Sequence, residues 1–469
     1  MRNQRYSVTF AALLLFLTSL AEAQLVTPPN DTVLHVFGSE DDGIAPVGGV
    51  IFDNAGNLYG VTEGGGGTSG CFTYNSCGTV YELSPPTNSG GAWTETILYR
   101  FTGTPNDGEL PSGGLISDAS GNLYGVISYG GTGNCRVLGS LTGCGTAFEL
   151  SPPSQPGGTW TETVLYSFQS GNDGYAPVGT LAVDENGNLY GATYYGGGFG
   201  SCNAPFYQYC GTIFELSPPA QKAGQWSEQI LYSFKGDSEY DTTDGANPNG
   251  GLIFDSQGTL YGTTSFGGHA EGCKEDAGRG CGTVFKVQRA DPPSQAWVES
   301  VLYQFLASPD GAAPAPGLVV DQEGSLYGAT AEGGSNEDGT IFELSAPVNG
   351  GLPWKETILW NFDDSTGWQP EAGLTAKNNT LYGTTSIGGP FRAGSVFQLS
   401  WDTRQSQVSW DTRQSQGRGS ALSVLSVFPV GNQAAGPGAT LIFGKDGNLY
   451  GTTQVYDHEI RGAVFKIAP

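Results

Sequence analysis

The chain has 469 residues, with 45 Asp and Glu against 19 Lys and Arg, for a formal charge of −26. So acidic a surface repels phosphate backbones, which argues against nucleic acid as a partner; solubility is its plain meaning, and attraction of cations such as calcium the rarer one. Glycine is abundant (75 residues), yet aromatics make up 12%, enough for a substantial core, so the glycines point to tight turns between many short strands.

The first 23 residues read as a secretory signal peptide. Arg2 and Arg5 give a positive start, Val8 to Leu20 form an apolar run, and Ala21-Glu22-Ala23 is a small-x-small cleavage site. The run is too short for a comfortable membrane span, and nothing later reaches the roughly 20 apolar residues that one requires. The expectation is a secreted or periplasmic, monomeric protein with no membrane span, its residues 24–469 forming a single folded unit.

Leu-Tyr-Gly then recurs with its tyrosine at Tyr59, Tyr124, Tyr190, Tyr261, Tyr327, Tyr382 and Tyr450. The mean period, (450 − 59)/6, is about 65 residues, which suits a four-stranded unit with generous loops. The fourth copy shows the unit plainly: Gly251 to Asp255, a Ser256-Gln257-Gly258 turn, Thr259 to Thr264, a Gly-rich loop, Gly282 to Val287, and Trp297 to Phe305. β-Branched and aromatic residues fill all four runs, and no stretch has the length and caps of a helix. Four strands repeated seven times predict an all-β fold, a seven-bladed β-propeller of four-stranded blades. Thr32 to Phe37 matches a fourth strand such as Thr163 to Phe168, whereas Gly462 to Ile467 matches a third. The N-terminal strand is therefore expected to complete the last blade and close the ring, pairing an edge that would otherwise stay open. A linear β-solenoid is the alternative, but it has no use for this complementary truncation.

Units such as GGLIFDSQGTLYGTTSFGG with CGTVFKV, and CGTIFELSPP with WSEQILYSF, resemble the Gloeo/Verruco ("GloVer") tandem repeat of bacterial exported proteins, over nearly the whole chain after residue 23. Members carry a choice of C-terminal anchors; this sequence departs from that, ending at Pro469 directly after a repeat strand. The resemblance implies no catalytic residues. The first two strands are also similar to the NHL and gluconolactonase-like propellers, which bears on fold more than activity.

Eight cysteines form four local pairs, Cys71/Cys77, Cys135/Cys144, Cys202/Cys210 and Cys273/Cys281, each bracketing the loop between strands two and three. An even count in one recurring loop of an exported chain reads as disulfides rather than zinc sites. Loops this short contribute roughly 2–3 kcal/mol each in the chain-entropy model. The connection from strand four to strand one carries Asp-Gly-x-x-Pro at Asp42, Asp107, Asp173, Asp244 and Asp310. These aspartates read first as turn residues that accept backbone hydrogen bonds, and secondarily as a calcium-holding ring at one mouth of the channel. The Asp-x-x-Gly turns at Asp53, Asp118, Asp184, Asp255 and Asp321 read as hairpin turns at the other end.

Function is expected where the repeat breaks. His269, Glu275 and Asp276 lie in the most charged loop, in blade four, and Asp457, His458 and Glu459 in a loop of blade seven that lacks the usual Gly-Gly. Tyr129, Tyr195 and Phe266 precede the Gly-Gly of blades two to four, and Trp368 enters blade six. Together these suggest a sugar-binding platform, aromatic faces stacking on sugars while acids accept hydroxyl hydrogen bonds; exposed loop variation is the plainer account. SWDTRQSQ occurs twice between Ser400 and Gln416, reading as a local duplication in a tolerant loop. No nucleophile elbow, zinc motif, P-loop or dinucleotide fingerprint is present. The leading expectation is a non-catalytic exported binding or scaffold propeller for extracellular glycan or protein, with no cofactor beyond a candidate calcium ion. The alternative is a calcium-dependent, lactonase-like or polysaccharide-degrading propeller enzyme.

Overall fold

The computed structural model describes residues 31–469, apart from loop positions 39–40, 68–70, 72–75, 89, 104, 138–139, 156, 199–209, 222–223, 236–243, 269–272, 274–279, 291–293, 295, 348–350, 401–420, 430–434 and 455–461. Seven antiparallel blades follow one another, at residues 43–100, 108–167, 175–233, 245–304, 311–361, 375–429 and 442–467. In blade 1 the inner strand is Gly43–Phe52, followed outward by Leu58–Gly65, Thr79–Ser84 and Thr94–Arg100. In blade 7 the chain supplies three strands, and Asp31–Val36 lies antiparallel to Ala463–Ile467 as the fourth. The ring is thus closed by the N-terminal strand, as the strand count predicts. A single 3-10 turn, Gly171–Asp173, is the only helical element among the described residues, and none of these forms a helix long and apolar enough to cross a membrane.

One expectation is refined. In blade 4 the inner strand begins at Gly245–Pro248, ahead of the predicted Gly251, and resumes at Ile253–Phe254. The Asp-Gly-x-x-Pro segment is therefore strand as well as turn, and the pairing breaks where Gly250 and Gly251, both with positive φ, bend the chain at the axis.

Four contacts repeat from blade to blade and explain the repeat's recurring letters. The outer-strand Phe of each blade stands edge-on to the third-strand aromatic of the next, from Phe101–Phe148 at 5.3 Å to Phe428–Phe465 at 5.2 Å. At the seam the closing strand supplies Phe37, 5.0 Å from Tyr81 of blade 1. Such pairs add about 0.5–1.5 kcal/mol each beyond their buried area. The third-strand ring also lies over the glycine of Leu-Tyr-Gly, where a Cβ would collide with it, as Phe285 does over Gly262. The glycine opening the third strand faces the inner-strand proline of the next blade, from Gly78 and Pro111 round to Gly462 and Pro46.

The fourth contact is a hydrogen bond from the residue before that proline. Leu110, Ala176, Asn247 and Ala313 have positive φ and donate their N–H to the carbonyls of Cys77, Cys144, Cys210 and Cys281 at 2.8–3.2 Å. Blades without cysteine keep the bond, from Gln369 to Asp338 and from Gly436 to Ala393. The disulfides Cys71–Cys77, Cys135–Cys144 and Cys273–Cys281, with Cα separations of 5.0–5.4 Å, therefore brace the loop that grips the next blade. Cys210 is also disulfide-bonded, and its expected partner Cys202 lies outside the described residues.

Between strands two and three a buried hydroxyl pair recurs, Thr193–Thr212 and Thr264–Thr283 both at 2.8 Å. Blade 2 has Ile127 opposite Thr146, and the Thr146 hydroxyl is buried without a hydrogen-bond partner. Changing Thr212→Val should therefore destabilise by about 0.5–1.5 kcal/mol, because it removes one buried hydrogen bond while Thr193 still donates to Tyr195 O and accepts from the backbone N–H of residue 212, whereas Thr146→Val should be neutral or stabilising. Urea unfolding midpoints of the two variants check the contrast; equal losses would contradict it.

Candidate functional site

The inner strands meet round an axial cavity of about 220 Å³ to which every blade contributes. Its wall is largely backbone. A Cβ on Gly48 would meet Gly114, one on Gly113 would meet Gly179, and one on Gly251 would meet Gly317, each from the next blade. The strands approach this closely because the repeat's Gly-Gly carries no side chain there. Polar braces reinforce the ring: Ser112 Oγ donates to Pro177 O at 2.8 Å, and Asn249 Nδ2 to Pro314 O at 2.6 Å.

Against this wall three long polar side chains stand out. Glu63 and Gln454 occupy one repeat position, the fourth after the Leu-Tyr-Gly tyrosine, in blades 1 and 7, and Glu371 follows the inner-strand proline of blade 6. Ring order makes these three blades consecutive, so the acid and amide groups share one sector of the cavity. Glu371 stays within reach of water, yet the surrounding wall pushes its carboxyl above the ordinary value, opposed by a hydrogen bond from Ser386. In the same sector the Thr384 and Thr452 hydroxyls are buried without a hydrogen-bond partner, whereas Thr263, at the equivalent place in blade 4, donates to Asn249 Oδ1 at 2.7 Å.

None of the residues singled out in the sequence lines this cavity. Tyr195 stacks on Tyr175 at 5.1 Å, and Tyr129 lies close enough to Tyr175 to raise its hydroxyl pKa together with Tyr195, after burial. The structure thus brings Tyr129 and Tyr195 together at the junction of blades 2 and 3. Phe266 is half-buried in blade 4, and Trp368 packs on Gly388 within blade 6. His269, Glu275, Asp276, Asp457, His458 and Glu459, like the SWDTRQSQ duplication, lie outside the described residues.

The repeated aspartates act locally. Asp107 Oδ1 accepts from Gly108 N at 2.6 Å, and its Oδ2 accepts from Thr102 N and, across the blade junction, from Tyr99 Oη at 3.1 Å. Asp173, Asp244 and Asp310 accept from Tyr166, Tyr232 and Tyr303 in the same way, at 3.0–3.1 Å. The aspartates at the other end close their hairpins, Asp184 Oδ1 accepting from Asn186 N and Asn188 N while Tyr190 Oη donates to Oδ2. A wider groove of about 820 Å³ opens between the rims of blades 4 and 5, beside Tyr303, Asp310 and Glu356, which that junction already uses.

Residues 24–205 and 199–420 match the model of the Gloeobacter/Verrucomicrobia repeat. A search of curated proteins finds no match. Among solved structures the chain is similar to one from Thermus thermophilus titled a putative oxidoreductase (glucose dehydrogenase), at 14% identity and a TM-score of 0.41, covering 78% of this chain and 99% of the other.

Proposed function

For this chain, which belongs to the Gloeobacter/Verrucomicrobia repeat family, we propose the role of an exported, non-catalytic binding propeller that takes the hydroxyl-rich or cationic tip of an extracellular glycan or protein into its axial cavity. The observation that carries the reading is the placement of Glu63, Gln454 and Glu371 on consecutive blades of a cavity otherwise lined by glycines and shorter side chains. Carboxylates and a carboxamide accept hydrogen bonds from hydroxyl or ammonium groups, and rigid walls reduce the ordering entropy that binding costs. At about 220 Å³ the cavity is smaller than pockets that enclose a whole drug-sized molecule, so it suits the end of a larger ligand. The local disulfides suit an oxidising compartment.

A glycan array probed with and without calcium tests this, comparing the wild type with a Glu63→Gln/Glu371→Gln variant. Binding should weaken by about tenfold in the variant, as expected for the loss of charge-assisted hydrogen bonds. Binding that survives this change but disappears in Tyr195→Ala/Phe266→Ala would move the site to the loop face. The second reading, a calcium-dependent hydrolase, is favoured by the raised Glu371 carboxyl sharing a cavity with Glu63. Lactone or polysaccharide turnover abolished by Glu371→Gln would establish it instead.

A further inference from the structure

Four of the seven junctions between blades follow one pattern, Trp360 and Ser426 stand at the equivalent place in two others, and the seam of the ring departs from it with a histidine. At four junctions a tyrosine of one blade's outer strand donates to the Asp-Gly aspartate entering the next, at 3.0–3.1 Å. An outer-strand glutamate of that next blade stands in the same place each time: Glu162, Glu228, Glu299 and Glu356. At the seam the aspartate is Asp42 and the glutamate Glu95, but the closing strand presents His35 in place of tyrosine.

The substitution changes what the junction can do. His35 Nε2 lies 3.7 Å from Asp42 Oδ2 and 3.7 Å from Glu95 Oε2, too far for hydrogen bonds. The nitrogen is buried and has no hydrogen-bond partner, and neither has Glu95 Oε1. One donor atom from each of the three residues falls within 4.8 Å of the others. Two metal–ligand bonds of about 2.1 Å at a tetrahedral angle hold their donors about 3.4 Å apart, close to the spacing found here. The ring of His35 is fixed edge-on to Phe37 at 4.7 Å, and Asp42 is fixed by Gly43 N at 2.7 Å on its other oxygen. Arg100, the neighbouring cation, is turned to the Asp41 carbonyl at 3.1 Å.

We propose that His35, Asp42 and Glu95 bind a divalent transition-metal ion of the zinc class, which clasps the closing strand to blade 1. Imidazole nitrogen selects such ions over calcium and magnesium, while the two carboxylates balance the charge. The three ligands come from the closing strand, the turn that follows it, and the outer strand of blade 1. The ion is therefore a staple across the seam, and it stabilises the folded ring by mass action. Water completes its coordination from the solvent side, since all three side chains keep 14–18% of their surface exposed.

The test uses the full chain, stripped with EDTA and titrated with zinc chloride by calorimetry, with melting followed in parallel. His35→Tyr introduces the residue found at four other junctions and should fold, matching the wild type's melting temperature in EDTA. Zinc should raise the wild-type melting temperature, and His35→Tyr should remove one bound equivalent and weaken affinity at the seam by more than about 100-fold. Glu95→Gln should also weaken it, while Glu228→Gln, at an ordinary junction, should not. Cobalt(II) gives an independent reading, since visible absorption from an imidazole-ligated ion should vanish with His35→Tyr. No zinc response in the wild type, or stoichiometry and affinity unchanged in His35→Tyr, would overturn the site and leave His35 as an ion-pair partner of the two acids.

Discussion

Deleting residues 24–37 should lower the melting temperature by about 10 °C or more and make the protein self-associate. The deletion removes the strand that pairs with Ala463–Ile467 from Asp31 to Val36, together with the bond from Phe37 N to Gly462 O at 3.0 Å. It also removes Phe37, which is fully buried between blades 7 and 1 against Tyr81. The remaining edge, Ala463–Ile467, is apolar or small at every position but Lys466 and exposes unpaired N–H and C=O groups, a template for strand addition from a second molecule. Calorimetry and size-exclusion chromatography in EDTA, which keeps any bound metal out of the comparison, read both effects. A truncated protein that melts and elutes like the parent would show that closure contributes little to stability.

That closure is legible in the residues alone, because a strand-four pattern stands at the beginning and a strand-three pattern at the end. The same alignment holds a second signal. Lining up Thr32–Phe37 with Thr163–Phe168 puts His35 against Tyr166, a substitution whose meaning appears only once Asp42 and Glu95 are seen to converge on it. The axial acids are likewise present as column anomalies. Glu63 and Gln454 share their repeat position with Ser128, Tyr194, Ser265, Ala331 and Ser386, but sequence does not say that this position reaches the axis. Irregular loops are the more conspicuous feature of the repeat and the less informative one. Among their residues, Tyr129 and Tyr195 cluster at a blade junction, where packing accounts for them without a ligand. The aspartates divide more cleanly, because Asp followed by Gly has a local hydrogen-bonding use that the turns fulfil.

The blade junctions also predict how stability depends on pH. Glu162, Glu228 and Glu356 each sit half-buried beside an Asp-Gly aspartate and below a tyrosine: Asp107 with Tyr99, Asp173 with Tyr166, and Asp310 with Tyr303. Burial first, and then the charge of the aspartate, pushes the carboxyls of Glu162 and Glu228 up to about 7 and that of Glu356 up to about 8. Unfolding returns each to about 4.5. Between these values the folded state holds protons that the unfolded chain has released, so stability falls as pH rises. The contribution is fully present below about pH 4.5 and gone above about pH 8. The melting temperature should therefore drop by about 5 °C or more between about pH 5.5 and pH 8.5, measured in EDTA. General repulsion among the surplus acids acts in the same direction, so the slope alone does not identify its source. The triple variant Glu162→Gln/Glu228→Gln/Glu356→Gln does, since an amide is neutral throughout. Its melting temperature should exceed the wild type's at the alkaline end of that range and nearly match it at the acid end. A variant whose pH profile runs parallel to the wild type's would place the dependence on the surface charge and not at the junctions.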